Sequence, residues 1–236
     1  MTDNSHTSAG ADPEQPYCYR YPHPAVTTDV ALFTIRDDSL QLLLIERGQA
    51  PCQGCWALPG GFVDIDEDLP DCAARELAEE TGVENLYLEQ LGTFGKPGRD
   101  PRERVISVAY LALAPESKLS VRAGDDAAAA AWFPVKALPP LAFDHDEIIA
   151  VAHRRLVAKL DYSTIAFQLL PETFTLSELQ QVYETLVDAE IDKRNFRKWA
   201  QALEVIEDTG ELRRRGSHRP ARVYRLLDRE RIAFLK

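Results

Sequence analysis

The sequence predicts an α/β chain of the α+β kind in two modules: a mixed sheet with helices over residues 25–161, then a small helical unit closed by a β-ribbon over residues 162–236. Three observations lead there. β-rich runs interleave with two long amphipathic segments as far as Leu160. From Tyr162 the pattern changes to short, capped helices followed by β-rich segments and a Gly/Pro-containing loop. The charge changes at the same place: residues 1–161 carry 14 Lys/Arg against 26 Asp/Glu, and residues 162–236 carry 13 against 12, so the net charge of −11 sits in the first module. With 45% apolar and 28% charged residues, the chain can bury a sizeable core.

Residues 1–24 lack the basic and apolar regions of a secretory signal and read as a disordered tail. No run approaches the roughly 18 apolar residues of a membrane span, so a cytoplasmic protein without a membrane partner is expected. Val26–Ile35 and Leu40–Ile45 read as strands joined by a turn at Arg36-Asp-Asp-Ser39. Cys52-Gln-Gly-Cys55 has clamp spacing but no second ligand pair, and reads as reduced thiols rather than a zinc site. Leu69–Thr81 reads as a helix, capped by Asp68, with Pro70 in its first turn and Gly82 just past its end. Leu86–Phe94, Val105–Leu113 and the weaker Ala128–Phe133 complete the strands, and Asp144–Leu160 forms the second helix.

In the second module, Thr175-Leu-Ser-Glu178 is a capping box leading a helix with Leu179, Val182, Tyr183 and Leu186 at core spacing. Asp192 caps another helix, with Phe196, Trp199, Ala200 and Leu203 on its apolar face. Val205-Ile206, a turn at Asp208-Thr-Gly210, and Arg222–Leu226 then make a ribbon, the layout of a winged helix-turn-helix. Between Lys193 and Arg225 lie 10 basic and 4 acidic residues. Lys193, Arg194, Arg197 and Lys198 on the helix, with Arg213, Arg214, Arg215, Arg219 and Arg222 on the wing, are the candidate contacts to double-stranded DNA. A winged helix used only for protein contacts is the other reading, and it predicts no DNA affinity at low salt.

The first module carries a denser signal: Gly61, five residues, Glu67, seven residues, then Arg75-Glu-Leu-Ala-Glu-Glu-Thr-Gly-Val83. Glu76, Glu79 and Glu80 stand at i, i+3 and i+4, so one turn of helix gathers three carboxylates on one face. Each such like-charge pair costs about 0.2–0.5 kcal/mol in an isolated helix, so a helix built for stability alone would not keep them. Clustered hard oxygens suit Mg²⁺ or Mn²⁺. Gly60 permits close backbone approach and offers its carbonyl as a further ligand, while Glu67 and Arg75 read as an ion pair steadying loop and helix.

This stretch matches the Nudix signature without a departure, and Gly54-x-Trp-x-Leu-Pro-Gly-Gly61 resembles the strand that enters the box in Nudix hydrolases. A Nudix sandwich of mixed sheet and helices is the fold implied. Gly98-Arg-Asp-Pro-Arg102 and Val105–Tyr110 are similar to the ADP-ribose pyrophosphatase branch. That resemblance implies a nucleoside diphosphate ligand, hydrolysis of ADP-ribose to AMP and ribose 5-phosphate, catalysis through Glu76, Glu79 and Glu80, and diphosphate contacts from Arg47, Arg99 and Arg102. The general base is open between Asp126 and Glu76. A Nudix domain joined to a winged helix also resembles the NrtR-like regulators of NAD metabolism, through Leu141-Ala-Phe-Asp-His-Asp-Glu147, Phe174–Leu179 and Arg194-Asn-Phe-Arg197. That resemblance implies a homodimeric repressor sensing ADP-ribose or a related metabolite. The box here is undamaged, so hydrolysis and sensing both stand as expectations.

Overall fold

The computed structural model describes residues 21–84, 86–119, 127–214, 220–229 and 231–235. Its organising element is β1 (Ala25–Arg36), which turns through Asp37 and Asp38 at φ 48° and 56° into β2 (Ser39–Arg47). Two successive left-handed residues match the twist of a tight hairpin, and aspartate tolerates that conformation. On its other side β1 runs parallel to β6 (Val105–Leu113), from Ala25 opposite Val105 to Phe33 opposite Leu113. β5 (Tyr87–Phe94) lies beyond β6, whereas β3 (Trp56–Ala57) and β7 (Ala127–Pro134) pair with β2.

One edge of β1 is shared between two partners. β2 takes Phe33–Arg36, and β4 (Gly60–Phe62) takes Thr27–Asp29. The sheet parts between these two pairings, beside Asp29. Immediately after β4 comes α1 (Leu69–Thr81), whose start is met by the Asp68 carboxylate and whose end is closed by Gly82 at φ 71°. The sheet thereby carries α1 over the parting.

Period-two alternation along β1 divides the core. Val30 and Leu32 face α1 through Ala73 and Leu77. Ala31 and Phe33 face α2 (His145–Lys159) through Ile148, Ala152 and Leu156. Each fully buried leucine or phenylalanine here contributes about 1.5–3 kcal/mol of transfer free energy, which fixes the register of β1 against a one-residue slip.

The α2-side core does not stop at the end of α2. It continues through Leu160, Ile165 and Phe167 to Phe174 of β8 (Thr173–Thr175), Leu179 and Tyr183 of α3 (Leu176–Val187), and Phe196 of α4 (Lys193–Ala202). The Tyr183 ring meets those of Phe196 and Trp199 edge-on at 5.5 and 5.3 Å. β9 (Ile206–Arg213) and β10 (Ala221–Leu226) form the ribbon, with β8 on its far side. The turn expected at Asp208-Thr-Gly210 is instead an irregularity inside β9. Gly210 takes φ 79°, its N–H donates to Asp208 Oδ1 at 2.9 Å, and the register slips opposite Arg222 and Tyr224. The ladder to β10 resumes beyond it, so the glycine bends the strand without ending it. Among the described residues no helix is long and apolar enough to cross a membrane.

Candidate functional site

A cavity of about 400 Å³ opens where β2 and β4 part from β1. Asp29 of β1, Gly60–Phe62 of β4, Glu76 and Glu80 of α1, Arg99 and Arg102, and Phe143 and His145 all line it. At its α1 end the Gly60 N–H donates to Glu80 Oε2 at 2.8 Å. Burial, joined by the like charges of Glu76 and Asp29, pushes the Glu80 carboxyl up to about 8 against that hydrogen bond. Burial also raises Glu76, against its contact with Arg75. Arg75 clasps Glu67 with a two-pronged contact at 2.7 and 2.9 Å, which holds the Glu67 carboxyl well below the usual range. Its other nitrogen reaches Glu76 at 2.8 Å and Glu79 at 3.1 Å.

The three glutamates therefore divide. Glu76 and Glu80 face the cavity, while the Glu79 side chain is 60% exposed and turned to Arg75. The expected convergence of all three is not what the side chains adopt, and among the described residues no three acidic, histidine or cysteine groups are gathered as a metal cluster. Electrostatics accounts for this, because Arg75 offers Glu79 a cation and three adjacent carboxylates repel one another. The donors still fit a hard cation: two partly buried carboxylates whose surroundings disfavour their charge, beside a glycine strand that lets them approach. The glycines make this fit explicit. A Cβ on Gly60 would lie 2.0 Å from the Thr28 carbonyl oxygen, so the strand pairing forbids one. A Cβ on Gly61 would lie 2.3–2.5 Å from the Glu76 carboxylate, which can swing aside. Gly61→Ala should leave the melting temperature nearly unchanged while weakening Mn²⁺ binding about 10- to 100-fold in calorimetric titration.

The floor of the cavity is a polar network that sequence reasoning missed. Asp29 is buried and accepts from Ser107 Oγ. His145 Nδ1 accepts the Leu58 N–H at 2.9 Å, and Nε2 stands 3.5 Å from Asp29. Burial lowers the His145 pKa, which suits a neutral ring held by that acceptor bond. The Asp29 signal was legible in principle: a lone carboxylate in the apolar run of β1 has to be explained by a partner or a function.

The three arginines expected at a diphosphate all line the cavity, but each has a protein partner. The Arg99 side chain is buried and forks onto Asp144 at 2.6–3.1 Å. Asp144 precedes α2 without capping it through its side chain. Arg102 forks onto Asp100, and Arg47 donates to the Pro51 carbonyl at 2.9 Å. Asp126, the alternative general base, lies outside the described residues.

On the second module Lys193, Arg194, Arg197 and Lys198 are exposed, opposite the buried Phe196 and Ala200 of α4. The Asp192 side chain caps that helix by accepting from the Asn195 N–H. Arg213 departs from its expected outward role. Its guanidinium turns inward to Glu178 at 3.2 Å and to Thr173, because the capping-box carboxylate of α3 lies within reach. Arg222 stays 71% exposed beside Asp208, and Arg214 is exposed. Arg215 and Arg219 fall outside the described residues.

Comparison with known proteins agrees with this two-part plan. The NUDIX domain family matches residues 26–152, and the NrtR DNA-binding winged helix domain matches residues 166–226. The ADPR responsive transcriptional repressor NtrR of Acinetobacter baylyi is 39% identical over 209 residues, covering 87% of this chain and 83% of that protein. An ADP-ribose pyrophosphatase of Methanocaldococcus jannaschii is 43% identical over 129 residues, 55% of this chain and 73% of that one. The crystal structure of Shewanella oneidensis NrtR complexed with a 27mer DNA superposes with a TM-score of 0.75 at 38% identity, covering 85% of this chain and 93% of that one. With a Nudix match over more than half its length and a repressor-like relative aligned nearly end to end, the chain belongs to the Nudix family, in the NrtR group that carries a winged helix behind the Nudix domain.

Proposed function

We propose that the Nudix module, residues 25–161, binds ADP-ribose and hydrolyses it to AMP and ribose 5-phosphate, and that the winged helix, residues 162–236, binds double-stranded DNA with an affinity set by that ligand. The observation that carries the reading is Glu76 and Glu80 facing one cavity with Arg99 and Arg102. Glu76, Glu79, Glu80 and the Gly60 carbonyl would hold Mg²⁺ or Mn²⁺, Glu79 rotating away from Arg75 to do so. When bound, the metal neutralises diphosphate oxygens and acidifies a water. The guanidinium groups of Arg47, Arg99 and Arg102 orient the diphosphate, whose oxygens match their geometry. A Glu76 oxygen not engaged by the ion would take the proton that the attacking water releases. Glu67 holds Arg75, and through it the angle at which α1 presents its carboxylates.

A regulatory role is favoured by a separate observation. The start of α2 is part of the site, through Asp144 on Arg99 and through His145, and its far end lies in the core shared with α3 and α4. A diphosphate that draws Arg99 from Asp144 loosens the start of α2, and the continuous packing carries the shift to the DNA-binding helix. The protein would act as a cytoplasmic homodimer, the symmetry suited to a palindromic operator.

Two measurements test the pair. Incubation with ADP-ribose and Mg²⁺ should release AMP; binding without release would leave sensing alone, and neither would sink the reading. Fluorescence anisotropy on a duplex from its own upstream region should change when ADP-ribose is added at fixed salt. An unchanged isotherm at saturating ligand would remove the regulatory part.

A further inference from the structure

The turn between β2 and β3 holds a motif that the site leaves unused, Cys52-Gln-Gly-Cys55. Both thiols are free and half-buried. Among the described residues no third histidine, cysteine or acidic group is gathered with them to complete a metal site. We infer that Cys52 and Cys55 are a reversible redox pair, closed by exchange with small-molecule disulfides, and that closure holds Arg47 back from an anionic ligand. The bond itself is independent of the nucleotide reading above, whereas its effect on a ligand rests on that reading.

Geometry brings the pair together. The Cys55 N–H donates to the Cys52 carbonyl at 3.0 Å, closing a four-residue turn with Gly54 at φ 77° in its third place. The Cα atoms at the ends of such a turn lie within about 7 Å, and a disulfide spans about 4.4–6.8 Å. Both side chains also pack on one apolar cluster, formed by Ile45, Ala57 and Ala142, so they share one side of the turn. Cys52 is held at φ 60°, a conformation that a residue other than glycine keeps only where its surroundings enforce it. Cys72 does not compete, being buried with its Sγ 3.2 Å from Thr28 Oγ1.

The same turn grips Arg47 at three points. The Arg47 N–H donates to the Cys55 carbonyl at 3.0 Å, its carbonyl accepts from the Gly54 N–H at 2.9 Å, and its Nε donates to the Pro51 carbonyl at 2.9 Å. The guanidinium lies over Phe143, which packs on the cluster that holds the thiols. For Nε to turn to a phosphoryl oxygen, Pro51 must release it, and that needs play in the turn. A disulfide fixes the two Cβ atoms about 3.5–4.5 Å apart and removes that play. The exchange balances. One thiolate attacks the small disulfide and releases one small thiol, and the second thiolate attacks the resulting mixed disulfide at the protein's sulfur and releases the other. The two cysteines lose two protons and two electrons, which the oxidant, of the glutathione disulfide class, takes up as two thiols.

The test uses the full chain, reduced and then treated with glutathione disulfide. Mass spectrometry after thiol blocking should show an internal link between Cys52 and Cys55 that dithiothreitol removes. Cys52→Ser should carry a glutathione adduct instead, and Cys18→Ser should keep the link. By titration calorimetry the oxidised protein should bind ADP-ribose about tenfold more weakly than the reduced protein, the scale of losing one hydrogen bond to a charged group. The double variant Cys52→Ser, Cys55→Ser should bind alike with and without oxidant, and Arg47→Ala should bind alike in both redox states. No internal link, a link through Cys18 or Cys72, equal affinity of the two redox states, or a redox effect that survives Arg47→Ala would overturn the inference. Reduced wild-type protein that forms the link yet binds no ADP-ribose would instead overturn the nucleotide reading.

Discussion

Glu80→Gln should reduce AMP release from ADP-ribose by about 10³-fold or more, since the stabilisation a divalent ion gives to a phosphoryl transition state is several kcal/mol and each factor of ten is about 1.4 kcal/mol. The substitution suits the purpose because its structural cost is small. A glutamine of the same length can still accept the Gly60 N–H through its carbonyl oxygen. The metal loses a charged ligand while the contact between α1 and β4 survives. Stability should move the other way in the metal-free protein. With a folded pKa raised from 4.5 to about 8, the wild-type carboxyl keeps a proton that the unfolded chain has released. The stability linked to that proton is whole below pH 4.5 and is lost as pH rises through about 8. The metal-free variant lacks this loss, so its melting temperature should fall less than that of wild type between pH 6 and pH 9. Added Mn²⁺ should raise the wild-type melting temperature and leave the variant's nearly unmoved. Full turnover by the variant, or an equal thermal response to Mn²⁺, would take Glu80 out of the metal site.

The contrast between α1 and its surroundings shows what the sequence can carry. The helix runs from Leu69 to Thr81, as its local signals demand: an aspartate to start it, a proline in its first turn and a left-handed glycine to close it. The hairpin at Asp37 and Asp38 and the capping box at Thr175 are legible for the same reason, each being settled within a few residues. Spacing also puts three glutamates on one face, but it is silent on rotamers, and the nearby Arg75 draws Glu79 off the cavity. The floor of the site is hidden more deeply. Leu58 and His145 are 87 residues apart, and Arg99 and Asp144 are 45 apart. Such pairs exist only after the sheet has parted and α2 has packed beneath it. β8 and the bulge in β9 belong to the same class, since each depends on what β10 pairs with. Arg213 is the clearest case: its charge is plain in the sequence, but its direction is set by a carboxylate 35 residues earlier.

That reassignment sharpens the second large prediction. Replacing Lys193, Arg194, Arg197 and Lys198 together by alanine should weaken binding to any duplex about 10²-fold or more near physiological salt, and lower the slope of log K against log salt by about 0.9 for each phosphate contact removed. Folding should tolerate the change, because these residues are exposed, alanine is the strongest helix former, and the buried Phe196 and Ala200 remain. The effect is expected to be large because the rest of the molecule opposes the approach of DNA. A chain of net charge −11 repels phosphates overall, and the stretch from Lys193 to Arg225, with 10 basic and 4 acidic residues, runs against that trend. Arg213→Ala is the discriminating control. If Arg213 braces β9 against the start of α3, as its contacts with Glu178 and Thr173 indicate, its loss should lower the melting temperature and scarcely change the salt slope. Anisotropy titrations between 50 and 200 mM salt measure both quantities on the same samples. A salt slope that the helix variant leaves unchanged, or that Arg213→Ala lowers as much as any α4 charge does, would move the DNA interface to another face.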